Sequence, residues 1–277
     1  MPTAVTPSVV GGVVPRRHAT TVLGHGSPPV VLAHGFGCDQ TMWGRVSPAL
    51  AEHHQVVLFD HVGCGRSDPT AHDPVRHASL HGYADDVVAL LEALSLPPVV
   101  FVGHSASAMT GVLAAVARPD LFAGLVLVGG SPRYVDAEGY VGGFSRADVD
   151  GLLEAVESNY LAWSRSLAPV AMGNPERPEL ARELEESFAR SDSRRALSFA
   201  RAIFLSDHRE ELALVRTPTL VVQTVDDPMV PESVGEYLHA RIPGSRYVLL
   251  GATGHFPHVS SPGATVEAIT GFLAELG

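Results

Sequence analysis

Serine, aspartate and histidine together turn a weak hydroxyl into an acyl-accepting nucleophile, and they stand in that order in separate motifs of this 277-residue chain. The first motif is VVFVGHSASAM, residues 99–109. Its β-branched run ends in Gly-His, Ser105 follows, and small residues open a helical stretch near Ala106. A serine on such a strand-to-helix turn has its hydroxyl lifted clear of the sheet, facing the free N–H groups of the helix N-terminus. Gly103, Ala106 and Ser107 allow the bend. The usual pentapeptide is G-x-S-x-G; here Ser107 holds the last position and crowds the turn. Read alone, the pattern also describes an ordinary turn with a capping serine.

Three further motifs favour chemistry over a plain turn. HGFG, residues 34–37, follows another apolar run. The backbone N–H groups of Phe36 and Ala106 would make an oxyanion hole, each donor contributing about 3 kcal/mol in the transition state. TVDDPMVP, residues 224–231, and GATGHFPH, residues 251–258, each follow an apolar run further along the chain. They supply the carboxylate and the imidazole in the order expected of an α/β-hydrolase. Asp227 is preferred to Asp226 because it stands four residues before Pro231, as in the D-x-x-V-P loops of similar enzymes. His255 is preferred to His258 because it directly follows Gly254; His258 reads as packing or support. No Glu or Cys nearby completes a metal site with these two histidines, so neither metal nor cofactor is expected.

These residues need a frame to bring them together. Short β-branched runs at 30–35, 55–60, 99–104, 124–130, 219–224 and 246–251 read as strands buried on both faces of a parallel sheet. Helical patterns lie between them, one marked by Tyr83, Val87, Leu90, Leu91 and Leu94 and one rich in small residues from Ala108 to Ala117. Strand and helix in alternation mean an α/β fold. The alternation stops over 132–208, where about four helical segments follow one another. Ser145 is a candidate cap for Val149, Leu152, Leu153 and Val156, and Pro178 an early position for Leu180, Leu184 and Phe188. The expectation is a core of residues 1–131 and 209–277, a four-helix lid inserted at 132–208, and a loose extension over 1–17.

Composition excludes several functions. The formal charge of -11 repels a nucleic-acid backbone or an anionic membrane. All 19 basic residues are arginine, which removes Schiff-base chemistry and the phosphate-loop lysine. GCGRSD, residues 63–68, lacks the glycine spacing of a dinucleotide loop and reads as a turn. The two cysteines, Cys38 and Cys64, are too few for a disulfide framework and read as reduced thiols. Most of the fourteen histidines, such as His53, His54, His72 and His239, read as surface residues. The first fifteen residues lack a basic segment ahead of their apolar part, so a cytoplasmic address is expected, and nothing in the sequence demands more than a monomer.

HGFGCDQTMW, FDHVGCGRSD, GHSASAM, SPRY, GGF, SNYLAW, LAPVAMG and GHFPHVSSP together resemble the RsbQ-type regulatory hydrolases of bacteria and the plant strigolactone and karrikin receptors. The likeness runs from about residue 18 to the C-terminus, and SNYLAW and LAPVAMG are not shared by hydrolases at large. Ser107 matches the plant receptors' GHSVSAM, whereas RsbQ keeps glycine there. The resemblance implies an α/β-hydrolase fold with a mostly parallel sheet and a V-shaped helical lid. It implies a triad of Ser105, Asp227 and His255 and an apolar pocket at Phe36, Tyr134, Phe144, Trp163, Leu167 and Phe204. The receptors carry phenylalanine where this chain has Leu167. The implied ligand is a small hydrophobic ester or butenolide-type lactone, hydrolysed slowly, with a signalling protein as partner in the alternative reading.

Overall fold

Eight strands form one sheet: β1 (Ser8–Val9), β2 (Thr21–Leu23), β3 (Val30–Ala33), β4 (Val56–Phe59), β5 (Val99–His104), β6 (Phe122–Val128), β7 (Thr219–Asp226) and β8 (Arg246–Thr253). Their order is β1-β2-β4-β3-β5-β6-β7-β8, antiparallel at β1/β2 and β2/β4 and parallel elsewhere. The computed structural model describes residues 8–277. The six expected strands are β3 to β8. On β3, Val30 and Leu32 enter one core while Val31 and Ala33 enter the other, as a strand covered on both faces requires.

The helices are α1 (Val13–Arg17), α2 (Ser47–Leu50), α3 (Leu80–Leu94), α4 (Ala106–Ala117), α5 (Arg146–Met172), α6 (Pro178–Ala189), α7 (Ser193–Phe204), α8 (Glu232–Arg241), α9 (Pro257–Ser260) and α10 (Pro262–Leu276). Helices α3, α4 and α8 pack on one face of the sheet, α2 and α10 on the other. Among the described residues no helix is long and apolar enough to cross a membrane.

Helices α5 to α7 lie between β6 and β7. Ser145 begins α5 with a capping box, its hydroxyl and the Asp148 carboxylate each meeting the other's backbone N–H. The helix breaks at Asn159, whose φ of -156° and ψ of 83° are not helical. The Asn159 side chain accepts the Ala162 N–H at 3.0 Å and so caps the second half. With α5 divided in this way, the insert has four helical segments. Pro178 stands at the start of α6, where its missing N–H costs nothing.

Three expectations need correction. The extension is not loose over residues 8–17: β1 pairs with β2, α1 packs against α3, and Arg17 accepts the Asp68 N–H at 2.8 Å. Residues 1–7 lie outside the described residues. Strand β8 is half-exposed over most of its length because it is the sheet's edge. Eight of the fourteen histidines are buried, namely His18, His34, His61, His77, His104, His208, His255 and His258, against the surface reading. His61 packs 6.0 Å from the lid residue Phe199, and the His255 N–H bonds to Ala171 of the lid. Cys38 and Cys64 are free and buried, and burial pushes both thiols well up, which keeps them unreactive.

Candidate active site

Ser105 joins β5 to α4 with a φ of 55°, left-handed backbone that a non-glycine residue adopts at a cost. Its N–H donates to Val128 O at 2.8 Å, and its own carbonyl accepts Ala108 N–H at 2.9 Å, which fixes the turn. Gly103 is needed beside it, because a Cβ there would lie 2.3 Å from Ser107 O. The Ser105 hydroxyl is 2.8 Å from His255 Nε2, and His255 Nδ1 is 2.8 Å from Asp227 Oδ2. The Asp227 carboxylate is buried, and its other oxygen accepts the N–H groups of Met229 and Val230 at 2.8 and 3.0 Å. An acceptor-only carboxylate fixes the proton on Nδ1, leaving Nε2 free to take the serine proton. The adjacent Asp226 is exposed at the end of β7.

The HGFG turn comes close to the nucleophile: a Cβ on Gly35 would lie 3.1 Å from Ser105 Cβ. Phe36 follows in that turn, and Ala106 is the first residue of α4. Neither backbone N–H donates to a protein group among the described residues, so both are free to serve an oxyanion.

A network that sequence reasoning missed ties these parts together. The His61 N–H donates to His34 Nε2 at 3.1 Å, so His34 carries its proton on Nδ1 and donates to Gly35 O at 2.9 Å. Ser107 Oγ donates to His34 O, and His61 Nε2–H donates to Ser107 Oγ at 2.6 Å. Burial holds His61 far below the usual histidine range, so it stays neutral. The serine that crowded the elbow is thus the hydroxyl that fastens the HGFG turn to α4. His104, before the nucleophile, donates from Nε2 to His255 O at 2.8 Å. The paired Gly-His and His-Gly dipeptides around the two turns were the sequence signal for this layer.

Of the six expected pocket residues, Phe36, Tyr134, Leu167 and Phe204 line the cavity over Ser105. Phe144 and Trp163 do not. Phe144 packs 6.3 Å behind Tyr134 and Phe204, and Trp163 stacks on Tyr160 and Phe188 behind Phe36. Phe188, Ile203 and Met229 line it instead. The Tyr134 hydroxyl lies 3.4 Å from Ser105 Oγ, and burial pushes its pKa up, so it remains a neutral donor. The cavity volume is about 30 Å³, room for about two waters. His258 stacks on Trp43 at 4.3 Å and does not enter the cavity.

A strained serine on a β5–α4 elbow, relayed through His255 to Asp227, defines a serine-nucleophile hydrolase. The chain belongs to the alpha/beta hydrolase fold family, whose model matches residues 28–262. It is 41% identical over 259 residues to a karrikin insensitive 2 receptor of Petunia hybrida, covering 93% of this chain and 96% of the relative. It is 39% identical to the strigolactone esterase D14 of Arabidopsis thaliana, over 87% of this chain and 90% of that protein. A solved hydrolase from Oleispira antarctica superposes with a TM-score of 0.92 at 37% identity, covering 94% of this chain and 96% of its own.

Proposed function

We propose that the chain hydrolyses small, apolar carboxylic esters or butenolide-type lactones through an acyl-enzyme on Ser105. His255 Nε2 takes the hydroxyl proton as Oγ attacks the carbonyl, and Asp227 stabilises the imidazolium through Nδ1–H. The alkoxide falls between the Phe36 and Ala106 N–H groups. Collapse expels the alcohol, which takes the proton from His255; with a lactone the expelled hydroxyl stays attached to the acyl group. Water then repeats the sequence to free the acid. The single observation that carries this reading is the unbroken relay, with both of its contacts at 2.8 Å.

The nearly filled cavity supports slow turnover, since substrate enters only when the lid residues give way. Apolar walls favour apolar acyl groups, and the relative named as a strigolactone esterase supports an ester-hydrolysing reading. One observation favours a second role, small-molecule sensing with a protein partner: the lid helix α5 bonds directly to the catalytic histidine's backbone, so acylation and lid position are coupled. A cytoplasmic monomer with two reduced thiols fits either role.

Intact mass spectrometry after exposure to a butenolide and to a short aryl ester tests the reading. A covalent adduct on Ser105, absent in Ser105→Ala of unchanged circular dichroism, is the expected result. Full hydrolysis by that variant excludes the mechanism. A turnover of many per second argues for metabolism, and one per several minutes for sensing.

A further inference from the structure

We infer that His81, His208 and Glu211 form a binding site for a zinc-type divalent cation at the neck of the lid. His81 is the second residue of core helix α3, while His208 and Glu211 lie on the segment returning from α7 to β7. The His208 N–H donates to Pro132 O at 2.8 Å, so this segment lies against the chain entering the insert. The three side chains offer one ligand atom each, all within 4.8 Å of one another.

The arrangement is poorly explained by hydrogen bonding alone. Glu211 Oε1 sits between two imidazoles, 3.4 Å from His208 Nδ1 and 4.0 Å from His81 Nε2. The first contact is long and the second is beyond hydrogen-bond reach. A tetrahedral cation with bonds near 2.1 Å brings its ligands to about 3.4 Å from one another. The largest separation therefore has to close by about 1.4 Å, which the 61% exposed His81 side chain supplies by rotation. His208 is buried, so its ring is held in place on the core side of the cluster. Two imidazole nitrogens and one carboxylate oxygen are a donor set suited to zinc rather than to magnesium or calcium, which want oxygen. The neighbouring Asp207 is already engaged by Arg133 and Arg209 and is no competitor. Water completes the fourth position on the exposed side.

Such an ion would pin the lid's neck to α3 from outside the cavity, since none of the three residues lines it. The test uses the full chain without an affinity tag, stripped with EDTA and titrated with zinc chloride by calorimetry. Expected is one ion per chain with a Kd below about 10 μM, weakened at least tenfold by His81→Ala and by Glu211→Gln. Cobalt substituted in the same protein should give the intense visible bands of a four-coordinate ion. Zinc should raise Tm in the wild type and not in His81→Ala, whose zinc-free ester hydrolysis stays at the wild-type rate. Absence of binding at millimolar zinc, or binding retained by both variants, overturns the site.

Discussion

The backbone N–H of His255 donates to the carbonyl of Ala171 at 2.8 Å, so the proposed base hangs from the last turn of lid helix α5. Gly254 makes this approach feasible. Its φ is +92°, and a Cβ there would lie 1.9 Å from Met172 O. Gly254→Ala must push the loop or the helix aside. A displacement near 1 Å of a catalytic group costs about 100-fold in rate, and the strained backbone about 2 kcal/mol of stability. Steady-state kinetics on an aryl ester beside a urea melt measures both; wild-type kcat in this variant would mean that the loop does not depend on the contact.

Ser107→Ala isolates the network behind the oxyanion turn. It leaves His61 Nε2–H buried with no acceptor, which costs about 1–3 kcal/mol, and it frees His34 O from its tether. We expect kcat to fall roughly tenfold with KM little changed, because the loosened turn matters most when charge develops on the substrate oxygen. Adding His61→Leu removes the orphaned donor and should restore most of the stability but not the rate. Equal loss of both in the double variant would refute the division of roles.

The strands that position Ser105 and Asp227 were legible because β3 to β7 are covered on both faces and carry apolar runs. The edge strand β8 was recognised as a strand, but its exposure was not. Strands β1 and β2 went unread, since two or three residues of antiparallel pairing leave no periodic pattern. The capping box at Ser145 followed from local chemistry, whereas the break at Asn159 became visible only as backbone geometry. Trp163 and Phe188 show where pattern reading stops. Both are lid aromatics on amphipathic helices, and the rotation of those helices over the core decides that Phe188 faces the cavity and Trp163 supports it. The buried histidines were misread for a similar reason: a polar residue type suggests surface until tertiary packing supplies the roof.

Those histidines make the fold sensitive to acid. Burial, with the His255 and Arg45 charges adding to it, lowers the His258 pKa to about 3, and burial lowers His18, His61, His104 and His208 as well. Each is neutral when folded but takes a proton when unfolded below the ordinary value of 6.5. The unfolded state therefore binds more protons, and stability falls as pH drops below 6.5; for His258 the loss runs from 6.5 towards 3, at up to about 1.4 kcal/mol per pH unit. Among the described residues neither His258 nitrogen has a hydrogen-bond partner, and the ring stacks on Trp43. His258→Phe should then match the wild type near pH 8 and exceed it by about 2 kcal/mol at pH 5. Urea midpoints across that range decide the matter, and parallel curves for the two proteins would exclude the assignment.

We expect Leu167 to set how much acyl chain the cavity accepts. It lines the cavity over Ser105 and is only half-buried, so Leu167→Ala opens space at small cost to stability. One methylene in an apolar pocket discriminates by about 1–3 kcal/mol, and the preference for hexanoyl over acetyl aryl esters should rise at least tenfold. Leu167→Phe should move it the other way. Phe144→Ala supplies the contrast, because Phe144 supports Tyr134 and Phe204 without lining the cavity. It should lose about 2 kcal/mol of stability and leave the chain-length preference where it was. If Phe144→Ala shifts the preference as much as Leu167→Ala, the boundary of the cavity is set by the lid's packing as a whole and not by its lining residue.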